Sequence, residues 1–278
     1  MTDAVVTVRR ALESSGLVAL DARVLLSHVL NTDRAWLAAH GDDTIRAEHA
    51  QAFFALAKRR RDGEPVAYLT GVREFWGLSL VVSPAVLIPR PETETLVELA
   101  LAWLPAERES RVLDLGTGSG AIALAIAHER PRARVLATDI SEEALALARE
   151  NARRLRLANV EFIRSNWYES VPSQFFDAPF DLIASNPPYV EAGDAHLRVG
   201  DLRHEPPVAL SPGADVLLAF RRIVTGARER LVAGGALIVE HGYDQADAVR
   251  ELFAKAGFTG IVGARDLAGI PRVVGARG

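Results

Sequence analysis

Val112-Leu113-Asp114-Leu115-Gly116-Thr117-Gly118-Ser119-Gly120, running on into Ala121-Ile122-Ala123-Leu124-Ala125-Ile126-Ala127, reads as a strand, a glycine loop and a helix. Glycines let the backbone turn tightly and let a ligand approach, and the free N–H groups at a helix start attract polar or anionic atoms. The spacing Gly116-x-Gly118-x-Gly120 differs from the G-x-G-x-x-G of dinucleotide folds. A second strand, 134–138, ends at Asp139, where a carboxylate can accept both hydrogens of a ribose diol. Loop and acid together mark a nucleoside-containing cofactor without choosing one. Outward from this unit, strands at 111–115, 134–138, 160–164, 181–185 and 236–240 alternate with helices, including those near 142, 216–231 and 245–256. Two short apolar runs, 259–262 and 272–274, predict a terminal hairpin on one edge. Such alternation implies an α/β fold with a mostly parallel sheet covered on both faces and ligands bound beyond the carboxyl ends of the strands. The Gly116 loop, Asp139, Asn166-Trp167 and Asn186 all follow strand ends, so four segments converge on one crevice.

The last of these segments names a chemistry. Asn186-Pro187-Pro188-Tyr189 follows the apolar run 180–185. A planar NH₂ group is a poor nucleophile, because its lone pair is delocalised into a carbonyl or a ring. A nitrogen-methylating site therefore gains most by gripping both N–H bonds. The Asn186 side-chain carbonyl can take one and the Pro187 backbone carbonyl the other, while Pro187 and Pro188 fix the turn. Tyr189 is then available to stack on the flat amide or base. A strand stopping at a rigid Pro-Pro turn is the plainer account of the tetrapeptide alone. Combined with the glycine loop, it points to S-adenosylmethionine as cofactor, with S-adenosylhomocysteine as product.

Composition sets the frame. The chain has 278 residues, 49% hydrophobic and 24% charged, with a net charge of −4. That is ordinary globular usage, and the charge balance leans against a duplex nucleic-acid substrate. Zero cysteines rule out disulfides and cysteine-rich zinc sites and fit a cytoplasmic protein. No apolar run reaches membrane-spanning length, residues 1–10 lack the apolar stretch of a secretory signal, and the seven histidines form no metal-ligand pattern.

Upstream, Val5, Val8, Ala11 and Leu12, then Ala22, Leu25, Leu26, Val29 and Leu30, then Phe53, Phe54, Leu56 and Ala57 fall at helical spacing. They predict a small helical domain over 1–71, with Asp21 as N-cap of its second helix and Lys58-Arg59-Arg60-Arg61 as a solvated helix end. The segment 1–75 carries ten basic and ten acidic residues, which favours the helix-end reading of that run over a nucleic-acid one. The alternation Leu78, Leu80, Val82 after Trp76-Gly77 predicts a hairpin linker over 72–86. Pro89-Arg90-Pro91-Glu92-Thr93-Glu94 opens an apolar helix running to Trp103.

With these stretches in view, the chain resembles the peptide chain release factor glutamine methyltransferases, the HemK/PrmC family. Besides the tetrapeptide, the matching stretches are Glu64-Pro65 with Tyr68-Leu69-Thr70-Gly71, Phe75-Trp76-Gly77, Leu87 to Glu94, Asp114 to Gly120, Glu205-Pro206 and Glu240-His241-Gly242. The tetrapeptide is shared with many amino-group methylases; the Ile88 to Glu94 stretch and the helical domain are more particular to this family. The resemblance implies a class I methyltransferase domain at 87–278, Rossmann-like with a seven-stranded sheet, behind the helical domain and hairpin. It implies the glutamine of the Gly-Gly-Gln loop of bacterial class 1 release factors as substrate, recognised by the helical domain, and a monomeric enzyme that needs no metal and binds no nucleic acid directly. Gly116, Thr117, Gly118, Ser119 and Gly120 would border the methionine and ribose portions of the cofactor, Asp139 the ribose hydroxyls, and Trp167 the adenine. Asn186 would touch cofactor and substrate, Asn186, Pro187 and Tyr189 would carry catalysis, and Pro188 would join them in binding substrate. Arg90 to Glu94 would lie near the cofactor mouth, with Glu205 and Glu240 as buttresses. Asn166 stands where many relatives carry Asp, and its amide oxygen can still accept from the adenine amino group. Rival readings are a glutamine methylase of a ribosomal protein, a base N-methylase, and a non-catalytic binding protein.

Overall fold

The computed structural model describes residues 6–172, 175 and 178–278. The chain divides into two compact units, Met1–Val72 with Arg198–His204, and Arg73–Leu197 with Glu205–Gly278.

The first unit holds α1 (Val8–Ser14), α2 (Ala19–Leu30), α3 (Arg34–Ala39), α4 (Ala47–Arg61) and α5 (Val66–Thr70). Its core is built by Val8, Ala11, Leu25, Leu26, Leu37 and Phe53, largely the residues that the helical spacing selects. Val5, placed on the same face by that spacing, lies outside the described residues. Asp21 is not the cap of α2, which starts earlier, after Val18. It sits instead in the first turn and accepts from Arg60 Nε at 2.7 Å. Arg60 also donates to Asp201 at 2.7 Å, and Arg203 donates to the Asp62 carbonyl at 2.6 Å. The basic run does close α4, but Arg60 is mostly buried and crosslinks three segments rather than facing solvent. Arg198–His204, which the sequence reading assigns to the methyltransferase domain, thus belongs to the helical unit.

In the second unit β1 (Val72–Phe75) and β2 (Leu78–Val81) form the hairpin, turning at Trp76 and Gly77. Both turn residues have positive φ, +53° and +70°, as a tight two-residue turn requires. Leu78, Leu80 and Val82 are buried, as their alternation predicts. A seven-stranded sheet follows, made of β3 (Arg111–Leu115), β4 (Arg134–Asp139), β5 (Val160–Arg164), β6 (Phe180–Ser185), β7 (Leu231–Glu240), β8 (Thr259–Arg265) and β9 (Pro271–Arg277). Its order is β5-β4-β3-β6-β7-β9-β8, with all strands parallel except β9, which runs antiparallel to both β7 and β8 on one edge.

Successive residues of a strand point to opposite faces, and both faces are covered. Val112, Leu182, Ala184 and Ile238 pack with Leu96 and Ala100 of α6 (Glu94–Trp103) and Ile122, Ala123 and Ile126 of α7 (Ala121–Glu129). Leu113, Leu115, Ile183 and Val239 pack with Phe220, Ile223 and Val224 of α8 (Leu218–Ala227) and Val249 and Phe253 of α9 (Ala246–Lys255). The order of connection reverses between β3 and β6, the switch point where open sheets of this kind hold ligands. Among the described residues no helix is long and apolar enough to cross a membrane.

Candidate active site

Register brings the predicted residues together. Leu115 pairs with Thr138 on one side and Ser185 on the other, so the residues that follow these strand ends begin at one level. Ser185 Oγ donates to the Leu115 carbonyl at 2.7 Å and locks the β3–β6 ends side by side. A cavity of about 340 Å³ opens above them. Gly116, Thr117, Gly118, Ser119, Asp139, Asn166, Trp167, Asn186 and Pro188 line it, with Arg90 and Thr93 on its wall. Gly120, Pro187 and Tyr189 do not.

The glycine loop is held from below. Gly116, Gly118 and Gly120 have φ of +72°, +56° and +87°, a region glycine enters without steric cost. Asp139 Oδ2 accepts from Gly118 N at 2.8 Å and Oδ1 from Ser141 N at 2.9 Å. With the Ile140 N–H as a third backbone donor, the carboxylate still keeps acceptor capacity for a ligand hydroxyl. Burial raises the Asp139 pKa against the pull of these N–H groups. Asp114, fully buried beneath the loop, accepts from Thr117 Oγ1 at 2.6 Å, and burial pushes its pKa to about 7. Asn151 also escapes a motif search. It is buried on the helix Glu142–Leu155, donates to the carbonyls of Val81 and Ser119, and accepts from Val81 N at 2.7 Å. One side chain thereby ties the hairpin to the glycine loop.

Trp167 has φ of +54°, uncommon for a bulky side chain and a sign of a locally imposed conformation. Its ring stands over the loop, 3.6 Å from where a Cβ on Gly116 would be. Beside it, Asn166 Nδ2 donates to Glu169 at 2.9 Å, which leaves the amide oxygen as the acceptor end. Flat aromatic, amide acceptor, carboxylate and glycine loop together suit a nucleoside with a charged tail, so the wall fits S-adenosylmethionine.

Asn186 Nδ2 donates to Thr93 Oγ1 at 3.2 Å. Tyr189 packs against the sheet core and donates its hydroxyl to Glu240 Oε1 at 3.1 Å. Burial, then the adjacent Glu240 charge, raises the phenol pKa, which keeps Tyr189 a donor. Glu240 is 1% exposed, and burial pushes its pKa to about 7 against opposing contributions from Thr93, Tyr189 and Arg272. Glu205 is buried too; it accepts from Ile88 N at 3.1 Å and pairs with Arg90, which fixes the wall from Ile88 to Arg90. Glu94 turns away and accepts from Trp76 N at 2.9 Å.

Residues 3–71 match the family described as the PrmC N-terminal domain, and residues 106–256 match a methyltransferase domain. The release factor glutamine methyltransferase of Bordetella pertussis is 52% identical over 264 residues, which cover 95% of this chain and 96% of that protein. Its counterpart in Escherichia coli K12 is 46% identical over 253 residues, covering 91% and 90%. A solved methyltransferase from Pyrococcus furiosus covers 79% of this chain and 96% of its own, with a TM-score of 0.55 at 18% identity, a likeness of fold alone. Identity of this extent along nearly the whole length, with both domains matched, means that the chain belongs to the release factor glutamine methyltransferase family.

Proposed function

We propose that this protein transfers a methyl group from S-adenosylmethionine to the side-chain amide nitrogen of the glutamine in the Gly-Gly-Gln loop of bacterial class 1 release factors. One observation carries the reading: Asn186 shares a cavity wall with the glycine loop and Asp139, in a chain half identical to release factor glutamine methyltransferases. The bound cofactor supplies an electrophilic sulfonium methyl and departs as S-adenosylhomocysteine. Asp139, the loop from Gly116 to Ser119, Asn166 and Trp167 hold it. Asn186 Oδ1 and the Pro187 carbonyl accept the two N–H bonds of the glutamine amide and aim its nitrogen. The amide nitrogen becomes acidic as its new bond forms, so its proton can leave to solvent and no strong base is needed. Catalysis is then orientation, for which alignment can supply about 7 to 11 kcal/mol, with electrostatic preorganisation by the two acceptors.

The test is incubation with methyl-labelled cofactor and a panel of intact release factor, the same factor with its loop glutamine changed to glutamate, ribosomal protein and RNA. Label in the intact factor alone is expected. Equal label in the glutamate variant, or label only in ribosomal protein or RNA, overturns the reading.

A further inference from the structure

An asparagine amide has a donor end and an acceptor end of nearly the same shape, and a half-turn about its last bond exchanges them. A grip on a substrate NH₂ group works only with Oδ1 turned to the substrate; with Nδ2 there, two donors would meet. Something must fix the choice, and Thr93 is the group in contact. It is 4% exposed, in the 3-10 turn Pro91–Thr93, and its Oγ1 lies 3.2 Å from Asn186 Nδ2. A hydroxyl has one proton and two lone pairs, so either amide end would satisfy it in isolation. Glu240 breaks that symmetry. Its Oε1 takes the Tyr189 hydroxyl, its Oε2 has no close hydrogen-bond partner, and the Thr93 hydroxyl is among the groups that favour the charged form of this carboxylate. Once the group is ionised, Oε2 can only accept and draws the Thr93 proton, which leaves only lone pairs facing Asn186; rates are therefore compared above pH 7, where Glu240 carries its charge.

From this arrangement we infer that Thr93 is a positioning residue: backed by Glu240, it holds the Asn186 amide with Nδ2 inward and Oδ1 toward the substrate. The inference rests on the methyl-transfer function proposed above. Thr93 also borders the cavity, but its hydroxyl is turned to Asn186 and Glu240, so its loss slows turnover and changes cofactor affinity little.

Thr93→Val keeps the shape and removes the hydroxyl. With the full-length protein, kcat on intact release factor should fall roughly ten- to hundredfold, the usual size for a lost hydrogen bond backed by a charged group. KM and the Kd for S-adenosylmethionine should stay within about twofold of wild type, and Thr93→Ser should recover most of the rate. Glu240→Gln, which can turn a donor toward Thr93, should also lower kcat, and it serves if Thr93→Val does not fold. A second readout needs no substrate. The Asn186 side-chain amide resonance, identified by its loss in Asn186→Ala, should be shifted and slow to exchange in the wild type and solvent-like in Thr93→Val. Wild-type kcat in both Thr93→Val and Glu240→Gln, equal damage from serine and valine, or an unchanged amide resonance overturns the assignment. If the wild type does not methylate release factor, the proposed function fails while the resonance still reports on Thr93.

Discussion

Asn186→Ala removes one of the two acceptors proposed to aim the nucleophile and leaves the glycine loop untouched. Methyl transfer should fall by about 10² to 10³ while cofactor affinity holds within a few-fold; unchanged turnover in a labelled-methyl assay would sink the role. Asp139→Ala should act the other way. Its oxygens already hold Gly118 and Ser141, so both a ligand contact and the loop's support are lost. Calorimetric titration should show S-adenosylmethionine binding weakened by roughly 1 to 3 kcal/mol, and wild-type affinity would remove Asp139 from the site. Asp114 makes a pH prediction. Between about pH 4 and pH 7 the unfolded chain releases its proton and the folded chain, with the group pushed to about 7, keeps it. Wild-type stability therefore falls through that window and levels off above it. Asp114→Asn cannot ionise, so its stability relative to wild type should climb by up to about 3 kcal/mol from pH 5 to pH 8. Urea unfolding across that range checks it, and a constant difference would mean that the buried carboxyl ionises as it does in water.

At the scale of the strand, loop and helix from Arg111 to Glu129, Gly118 and Gly120 look alike in sequence and differ in surroundings. A Cβ on Gly118 would meet nothing within 4 Å, whereas one on Gly120 would lie 2.9 Å from Leu124 Cδ1 and 3.3 Å from Ala148 Cβ. Gly118→Ala should cost about 1 kcal/mol, the conformational term alone. Gly120→Ala adds overpacking between two helices and should cost roughly 2 to 4 kcal/mol. Equal midpoints in chemical unfolding would show that the contact relaxes freely. The element is legible in the sequence because its signals are local: a period of two in β3, glycines, then a helix. The same holds for Asp139 and Asn186, which end strands. Asn151 is illegible in the sequence. The resemblance places Thr93 near the mouth and Glu240 as a buttress, but their contacts with Asn186 and Tyr189 are illegible too, because the partners of all three lie 32 to 93 positions away and only the tertiary fold brings them together. Asp21 misled for a related reason. It suits a cap, but α2 begins earlier, after Val18, and the Asp21 carboxylate pairs with Arg60 of α4.

For the molecule as a whole, residues 1–71 are proposed to recognise the protein substrate. A glutamine at a loop tip offers few atoms, whereas specific protein complexes bury about 1,600 Å². A chain starting at Val72 should bind S-adenosylmethionine yet methylate intact release factor far more slowly than the full chain; the full-length rate from a folded truncation would refute the docking role. Truncation also strips Arg198–His204 of its helices. Arg60→Ala combined with Arg203→Ala, which removes both hydrogen bonds that tie the segment and keeps the helices, separates the two effects: docking predicts a much smaller loss than truncation gives. The placement of this segment also bears on synthesis at the ribosome. The helical unit is first in the sequence but ends with Arg198–His204, so α1 to α5 emerge long before the last piece they pack against. At about 5–20 residues per second, the gap between Val72 and Arg198 is on the order of ten seconds. Arg60 has no Asp201 to pair with until that interval is over, so the first unit begun is completed only after β3 to β6 of the second have already been made.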